Sequence, residues 1–253
     1  MTNKSSVDCQ EEKSILVPEY PIVFDTHSVM SILNTNADHS PVDPSKPIKW
    51  QSRRIIKCKN KILPLPERME PYIDGDLGAQ EVDNKDRPMW LGYHTKYLTG
   101  IKWFSPQWGK VGDHLWVRET WTKVPRTAYS QSPGVWQSFS PDNNHDAIVY
   151  KAGWERSEPS QWLSPIFLPR WGSRISLKLT GIRVERLQDI SYSDIIAEGL
   201  AVYEGTQLLK PELPLDQAVY KDQWIRRWNS INKKRGYPWD INPWVWVLEF
   251  HRI

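Results

Sequence analysis

Apolar and polar side chains alternate most regularly around residues 175–186, where the pattern predicts a long strand. Apolar residues occupy every second position from Ile175 to Leu179, which is the period of a strand with one buried face. Gly181 then shifts the phase, and the alternation resumes at residues 182–184. A glycine at such a phase shift predicts a β-bulge or a bend in the strand.

A short helix is predicted directly after this strand. Ser191 followed by Asp194 is similar to a capping box, residues 195–196 supply a buried side, and Gly199 is a natural stop. Glu198 therefore sits at the C-terminal end of the helix, where the helix dipole disfavours a carboxylate. A carboxylate in that place is solvated, paired with a cation, or used by the protein.

The other elements follow from weaker patterns. Predicted strands are 22–24, 115–121, 147–151 and 243–250, the last of which reads as buried on both faces. Predicted helices begin at Asp25 or Thr26, with Val29, Met30, Ile32 and Leu33 on the apolar side, and at Asp216, with Tyr220, Trp224, Trp228 and Ile231 at helical spacing. Residues 34–46, 62–110 and 125–146 are predicted loops, with short strands inside 62–110, and 203–215 is a loop or a pair of short extended pieces. Together these elements predict an α+β fold, a small mixed β-barrel with flanking short helices.

Composition narrows the class of protein. The chain has 253 residues and a net charge of only +3, so nucleic-acid binding has to be argued from local patches. Cys9 and Cys58 lack metal or redox spacing, and no apolar run reaches membrane-spanning length or forms a signal-peptide core. We expect a cytoplasmic protein without membrane contact, with residues 1–18 as a disordered lead and 19–253 as one domain. The fifteen tryptophans bury large areas and also offer flat stacking faces.

The densest basic run lies at residues 46–61 and contains Lys49, Arg53, Arg54 and Lys57. Two interpretations are open. One is a charged edge strand exposed to solvent, and the other is a patch that faces phosphate groups.

Six segments of the chain resemble motifs of the ASCH-domain proteins of the PUA-like superfamily, most closely those of phages and prophages. In the family's order they are KWQSRR at 49–54, GDHLWVRET at 112–120, PRWGSRI at 169–175, VERLQDIS at 184–191, AEG at 197–199 and NPWVWV at 242–247. The resemblance covers most of the chain from about residue 20 to the end. It implies a PUA-like (ASCH) mixed β-barrel with flanking short helices and long loop insertions.

The first of these segments departs from the family's pattern. Pro47 and Ile48 stand where the family has Gly-Arg, and Trp50 and Ser52 stand where it has two threonines. Residues 34–46 look like an insertion just ahead of the segment.

One branch of the family comprises amidohydrolases that deacetylate acetylcytidine, and the resemblance carries their site onto Lys49, Ser52 and Glu198. A hydroxyl becomes a useful nucleophile when a neighbouring base takes its proton. A lysine with a lowered pKa in a desolvated pocket can be that base, and a carboxylate can orient it. Arg54 is suited to hold a substrate oxygen or a phosphate.

PUA-like barrels also bind RNA or a modified, flipped-out base, so the resemblance equally implies a binding module. A basic rim at the barrel mouth, with Lys49, Arg53, Arg54 and Lys57, would contact phosphates, while Trp50 or Trp171 stacks on the base. Ordinary packing explains either tryptophan as well. We expect the ligand to be nucleic acid, RNA in preference to DNA, or a modified nucleoside.

A third hypothesis is a ribonuclease, an activity suggested for some ASCH proteins. Such an enzyme normally needs acidic metal ligands, and no Asp, Glu and His cluster here has a convincing spacing. Asp113 is expected to serve a turn and His114 to lie on the surface. We therefore expect no metal and no cofactor, and a location in the host-cell cytoplasm if the chain is phage-encoded.

Overall fold

The computed structural model describes residues 17–57, 66–72, 80–94, 97–200, 203–204, 207–208 and 214–253. The α-helices are α1 Thr26–Leu33, α2 Tyr192–Ala197 and α3 Pro214–Asn232, and the 3-10 helices are Pro165–Phe167, Arg170–Gly172, Leu187–Asp189, Lys233–Arg235 and Trp239–Ile241. The strands are β1 Glu19–Val23, β2 Gln51–Ile55, β3 Arg68–Pro71, β4 Trp90–His94, β5 Tyr97–Phe104, β6 His114–Arg118, β7 Trp121–Pro125, β8 Ser138–Phe139, β9 Asp146–Tyr150, β10 Ser176–Arg186, β11 Tyr203–Glu204, β12 Gln207–Leu208 and β13 Trp244–Arg252. The predicted α+β class is confirmed, whereas almost all of the predicted lead at 1–18 lies outside the described residues.

The largest sheet has the strand order β1-β6-β10-β13-β2. β1 runs parallel to β6, and the remaining neighbours are antiparallel. The C-terminal strand β13 thus lies between β10 and β2, and its residues 245–248 are all buried. This confirms the prediction of a strand that is covered on both faces.

The closed barrel that the pattern and the resemblance predict is not found among the described strands, because this sheet ends at two edges, β1 and β2. The chain turns into α1 shortly after β1 and leaves the edge. The two edges are joined by a side chain in place of a strand ladder, since Arg54 Nη2 donates to the carbonyl oxygen of Val23 at 2.8 Å.

The break predicted within β10 is confirmed. The register of β10 against β13 shifts between Leu179 and Gly181. A Cβ atom added at Gly181 would lie 2.5 Å from Oε2 of Glu249, so a larger residue would displace that carboxylate. The bulge therefore gives Glu249 room above the sheet.

The single strand predicted over 115–121 is wrong. β6 ends at Arg118, and β7 begins at Trp121 in a separate sheet of order β7-β9-β8. Glu119, at the break, is 1% exposed and accepts two hydrogen bonds from Arg174, at 2.8 and 2.9 Å. This buried ion pair holds the chain where it passes from one sheet to the other.

The short strands predicted inside 62–110 are found in its described part, where they pair into a further sheet of order β3-β4-β5. Trp90 of this sheet packs edge-on against Trp246 of β13, with ring centroids 4.8 Å apart. The short pair β11–β12 confirms the extended pieces expected within 203–215. None of the helices among the described residues is both long and apolar enough to cross a membrane.

The apolar sides predicted for two helices need correction. Met30 of α1 is 39% exposed and Ile231 of α3 is 43% exposed, because each lies at the margin of its packed face. α1 buries Ser28 and Ser31 instead. α3, which begins at Pro214 rather than at Asp216, packs on β13 through an aromatic stripe of Tyr220, Trp224 and Trp228.

Candidate functional site

The site is built around the C-terminal end of α2. Its N-terminus has the predicted capping box between Ser191 and Asp194. At the other end, the carbonyl oxygen of Ala197 accepts from the backbone N–H of Trp50 at 3.0 Å. The carbonyl oxygen of Glu198 accepts from Lys49 Nζ at 2.7 Å. Donors from the two residues that precede β2 thus cap the helix, and a cation there suits its dipole.

Lys49 and Glu198 form a buried ion pair. Lys49 Nζ lies 2.9 Å from Oε2 of Glu198, and the two side chains are 3% and 5% exposed. Burial lowers the pKa of Lys49, because a charged amine loses its hydration there, and the charge of Glu198 opposes this effect only in part. Glu198 is therefore neither solvated nor unpaired at its unfavourable place on the helix.

Ser52 lines the same cavity as Lys49 and Glu198. The cavity has a volume of about 490 Å³, within the range of about 300–1,000 Å³ that is usual for sites that enclose small ligands. Ser52 is 5% exposed, and its hydroxyl makes no hydrogen bond to another described residue. The lysine amine is directed at Glu198 rather than at this hydroxyl.

Arg53 belongs to the buried part of the cavity lining rather than to an exposed rim. Its side chain is 0% exposed, and it pairs with Glu185, Asp194 and Glu198. Its Nε donates to Glu185 at 2.8 Å, and its Nη1 donates to Gln51 at 3.1 Å. The guanidinium predicted to contact phosphate is thus used to hold three carboxylates, and it supports Glu198 from behind.

Arg183 of β10 continues this charged network. It bonds to Glu185 at 3.2 Å and to Asp194 at 2.8 Å, and it also bonds to Glu249. Burial alone would raise the pKa of Asp194, but hydrogen bonds from Ser191 and Gln51, together with the charge of Arg53, lower it to about 2. The helix α2 is therefore tied to β2, β10 and β13 by ionised groups.

Arg54 and Lys57 also line the cavity, and they differ in exposure. Arg54 is half-buried, and its guanidinium lies 4.9 Å from the ring centroid of Phe24. Its Nε is buried without a hydrogen-bond partner among the described residues. Lys57 is exposed at the end of β2. These two residues fit the predicted basic rim better than Arg53 does.

The two tryptophans predicted to stack on a base do not line this cavity. Trp50 is stacked on His39 from the segment 34–46, with ring centroids 4.9 Å apart and planes at 10°. Trp171 packs against the core of the sheet β7-β9-β8. Each has the structural surroundings that ordinary packing predicts.

The opposite wall of the cavity comes from α3 and the 3-10 helix that follows it. Arg227 lies there, and its Nη2 donates to Asp25, the residue that caps α1, at 3.0 Å. Trp224, Asn232 and Arg235 line the same wall. Sequence reasoning missed these as site residues; the positive charges of Arg227 and Arg235, on the predicted helix and just after it, were the available signal for those two.

The carboxylates near the site form ion pairs with basic side chains. Glu185, Asp194 and Glu198 each pair with at least one arginine or lysine. Across the described residues, no group of three or more His, Cys, Asp or Glu side chains is arranged to hold a metal ion. A metal-dependent ribonuclease would have to free such carboxylates first.

Comparison of the chain with protein-family models, with curated proteins and with solved structures finds no match. The resemblance to ASCH-domain proteins therefore stays a prediction from the six segments quoted above.

Proposed function

We propose that this protein is an ASCH-type, PUA-like protein that binds a nucleoside, free or as part of RNA, in the cavity between β2 and α3. The observation that carries the proposal is the convergence of Lys49, Ser52 and Glu198, which the family motifs single out and which lie in one cavity. A volume of about 490 Å³ suits one nucleoside rather than a duplex. Cationic side chains on its walls favour ligands that carry phosphate.

Calorimetry with cytidine, acetylcytidine and a short RNA oligomer tests the proposal. We expect Ser52→Leu to abolish binding, because the larger side chain enters the cavity. Ser176→Leu, on another strand of the same sheet and outside the cavity lining, is the matched control. Absence of binding to every nucleoside and oligomer, or binding that survives Ser52→Leu, would contradict the proposal.

Amide hydrolysis is a second candidate. It is favoured by a Ser52 hydroxyl that no described residue hydrogen-bonds and that lines the same cavity as the buried Lys49. In the proposed step, Ser52 Oγ attacks the acyl carbonyl and its proton passes to the neutral Lys49 amine. That proton then goes to the departing amine of the nucleoside, and water releases the acyl group from the serine. Glu198 holds the lysine in place throughout.

Turnover of acylated nucleosides, followed by chromatography, tests this step. We expect Ser52→Ala to lower the rate by about a hundredfold or more, while Ser52→Thr retains activity because it keeps the hydroxyl. Because burial lowers the pKa of Lys49, the rate should rise with pH along a limb that lies below the ordinary lysine pKa of about 10.4. Equal rates in wild type and Ser52→Ala would exclude hydrolysis through Ser52 as a function and leave ligand binding as the remaining proposal.

A further inference from the structure

Cations outnumber carboxylates on the walls of the cavity. The cationic side chains are Lys49, Arg53, Arg54, Lys57, Arg227 and Arg235, and the carboxylates are Asp25 and Glu198. Lys49 and Arg53 are held by Glu198 and its neighbours, and Arg227 is held by Asp25. Arg54, Lys57 and Arg235 form no ion pair with any described residue, so their charges remain available.

Two buried donors of the lining also lack acceptors. Arg54 Nε and Trp224 Nε1 have no hydrogen-bond partner among the described residues, and Trp224 is only 5% exposed. Leaving a buried donor unpaired costs stability, so such groups are uncommon in folded proteins. We call Arg54, Lys57, Arg235 and Trp224 the cationic corner.

The cationic corner brings like charges together from opposite walls. Arg54 comes from β2, and Arg235 comes from the 3-10 helix after α3. Burial is the main cause that lowers the pKa of Arg54; Glu198 and Asp25 oppose it, and the positive charge of Arg235 adds to it. An anion bound between the two guanidinium groups would offset this repulsion.

We propose that the cationic corner binds a phosphate group, so that the ligand is a phosphorylated nucleoside rather than a neutral one. Guanidinium groups match phosphate oxygens in geometry as well as in charge. The inference rests on the proposed function for the nucleoside part of the ligand. The phosphate has two sources, the terminal monoester of a free nucleotide or the phosphodiester of RNA.

Calorimetry with cytidine, cytidine 5′-monophosphate, inorganic phosphate and an RNA trinucleotide without terminal phosphate separates these cases. We expect the monophosphate or the trinucleotide to bind about tenfold or more tightly than cytidine, since charged hydrogen bonds are involved. Arg235→Gln should remove most of this preference. Lys234→Gln is the matched control, because it removes the same charge from an exposed neighbour outside the lining.

Each outcome decides the inference. If Arg235→Gln but not Lys234→Gln loses the preference for the monophosphate over cytidine, the inference is supported and the phosphate is a monoester. If Arg235→Gln but not Lys234→Gln loses binding to the trinucleotide, the inference is supported and the phosphate is a phosphodiester. If inorganic phosphate binds in a way that depends on Arg235 and no nucleoside binds, the phosphate site at the cationic corner is supported and the proposed nucleoside binding is contradicted. If cytidine and both phosphorylated ligands bind with equal affinity and Arg235→Gln changes none of these affinities, phosphate binding at the cationic corner is overturned while nucleoside binding stands. If no ligand binds, both are overturned.

Discussion

Within the ion pair of Lys49 and Glu198, the two partners depend on each other unequally. Glu198 has a second cation, Arg53, at 3.4 Å. Lys49 has no second carboxylate within ion-pair distance among the described residues. A buried charge that loses its partner keeps the cost of its lost hydration. Removal of Glu198 therefore leaves Lys49 buried without an ion-pair partner among the described residues, whereas removal of Lys49 leaves Glu198 paired with Arg53.

We expect Glu198→Gln to lower the free energy of unfolding by about 3 kcal/mol, and Lys49→Met to lower it less. Urea unfolding at neutral pH measures both. Lys123→Met is the control, because its ion pair with Asp146 is exposed and should contribute less than about 1 kcal/mol. Equal losses in the Lys49 and Glu198 variants would show that Arg53 gives Glu198 no separate support.

Asp194 makes the stability depend on acidity. Its pKa falls from 3.8 to about 2 on folding, so its contribution is present above pH 4 and is lost as the pH falls toward 2. The whole shift corresponds to about 2 kcal/mol. Urea unfolding should show the stability gap between wild type and Asp194→Asn shrinking by about 1 kcal/mol from pH 7 to pH 3. A gap that stays constant over this range would exclude the carboxylate charge as the cause.

At the scale of elements, the end of α2 joins distant parts of the chain. Gly199 follows Glu198 with a φ of +80°, a left-handed conformation that favours glycine. Its carbonyl oxygen accepts from His27 Nε2 of α1 at 2.9 Å. A Cβ atom added here would lie 3.0 Å from Cβ of Lys49 and 3.1 Å from Cβ of Ser31. The glycine therefore allows α1 and the start of β2 to approach the helix end.

Gly199→Ala and Gly236→Ala separate backbone strain from close contact. Gly236 has a similar φ of +85° but nothing within 4 Å of an added Cβ, so its variant should lose about 1 kcal/mol. Gly199→Ala should lose about 2 kcal/mol more, because Lys49 and Ser31 must move. Thermal and urea unfolding measure the two losses. Similar losses would mean that the contact with Lys49 yields easily.

At the scale of the whole molecule, β2 and α3 form opposite walls of the cavity. Its aromatic stripe packs on Val245 and Val247 of β13, so the strand at the end of the chain carries the helix that forms the far wall. Trp228 Nε1 donates to the carbonyl oxygen of Tyr237 at 2.9 Å, while Trp224 Nε1 has no partner among the described residues. Trp224 and Trp228 are therefore packed in the same apolar cluster but differ in whether the indole N–H is hydrogen-bonded.

This difference predicts unequal costs for the same substitution. Both Trp224→Phe and Trp228→Phe shrink a buried side chain, but only the second breaks a hydrogen bond. Trp228→Phe should therefore lower the stability by about 1 kcal/mol more than Trp224→Phe. Urea unfolding without ligand gives the comparison. A larger loss for Trp224→Phe would show that its N–H is already satisfied.

The order of strands in the main sheet was not predictable from local patterns. Alternation at 175–186 identified the strand β10 and its bulge, since both depend on neighbouring residues. Nothing local indicates that β1 pairs in parallel with β6, or that β13 lies between β10 and β2. The passage from β6 to β7 was missed for the same reason, because Arg174, the partner of Glu119, is distant in sequence.

The sequence alone determined the α+β class, the capped helix that stops before Gly199, the doubly buried C-terminal strand, and the residues Lys49, Ser52 and Glu198 as candidates. The first three follow from periodicity and capping, which act over a few residues at a time, and the three candidate residues are what the resemblance to the ASCH motifs implies. Only the tertiary structure decided that Arg53 is buried under Glu198, that the sheet stays open, and that Arg227 and Arg235 face the site. Those outcomes depend on which distant charges and surfaces meet, because a buried charge loses its hydration and a carboxylate from a distant part of the chain can offset that loss.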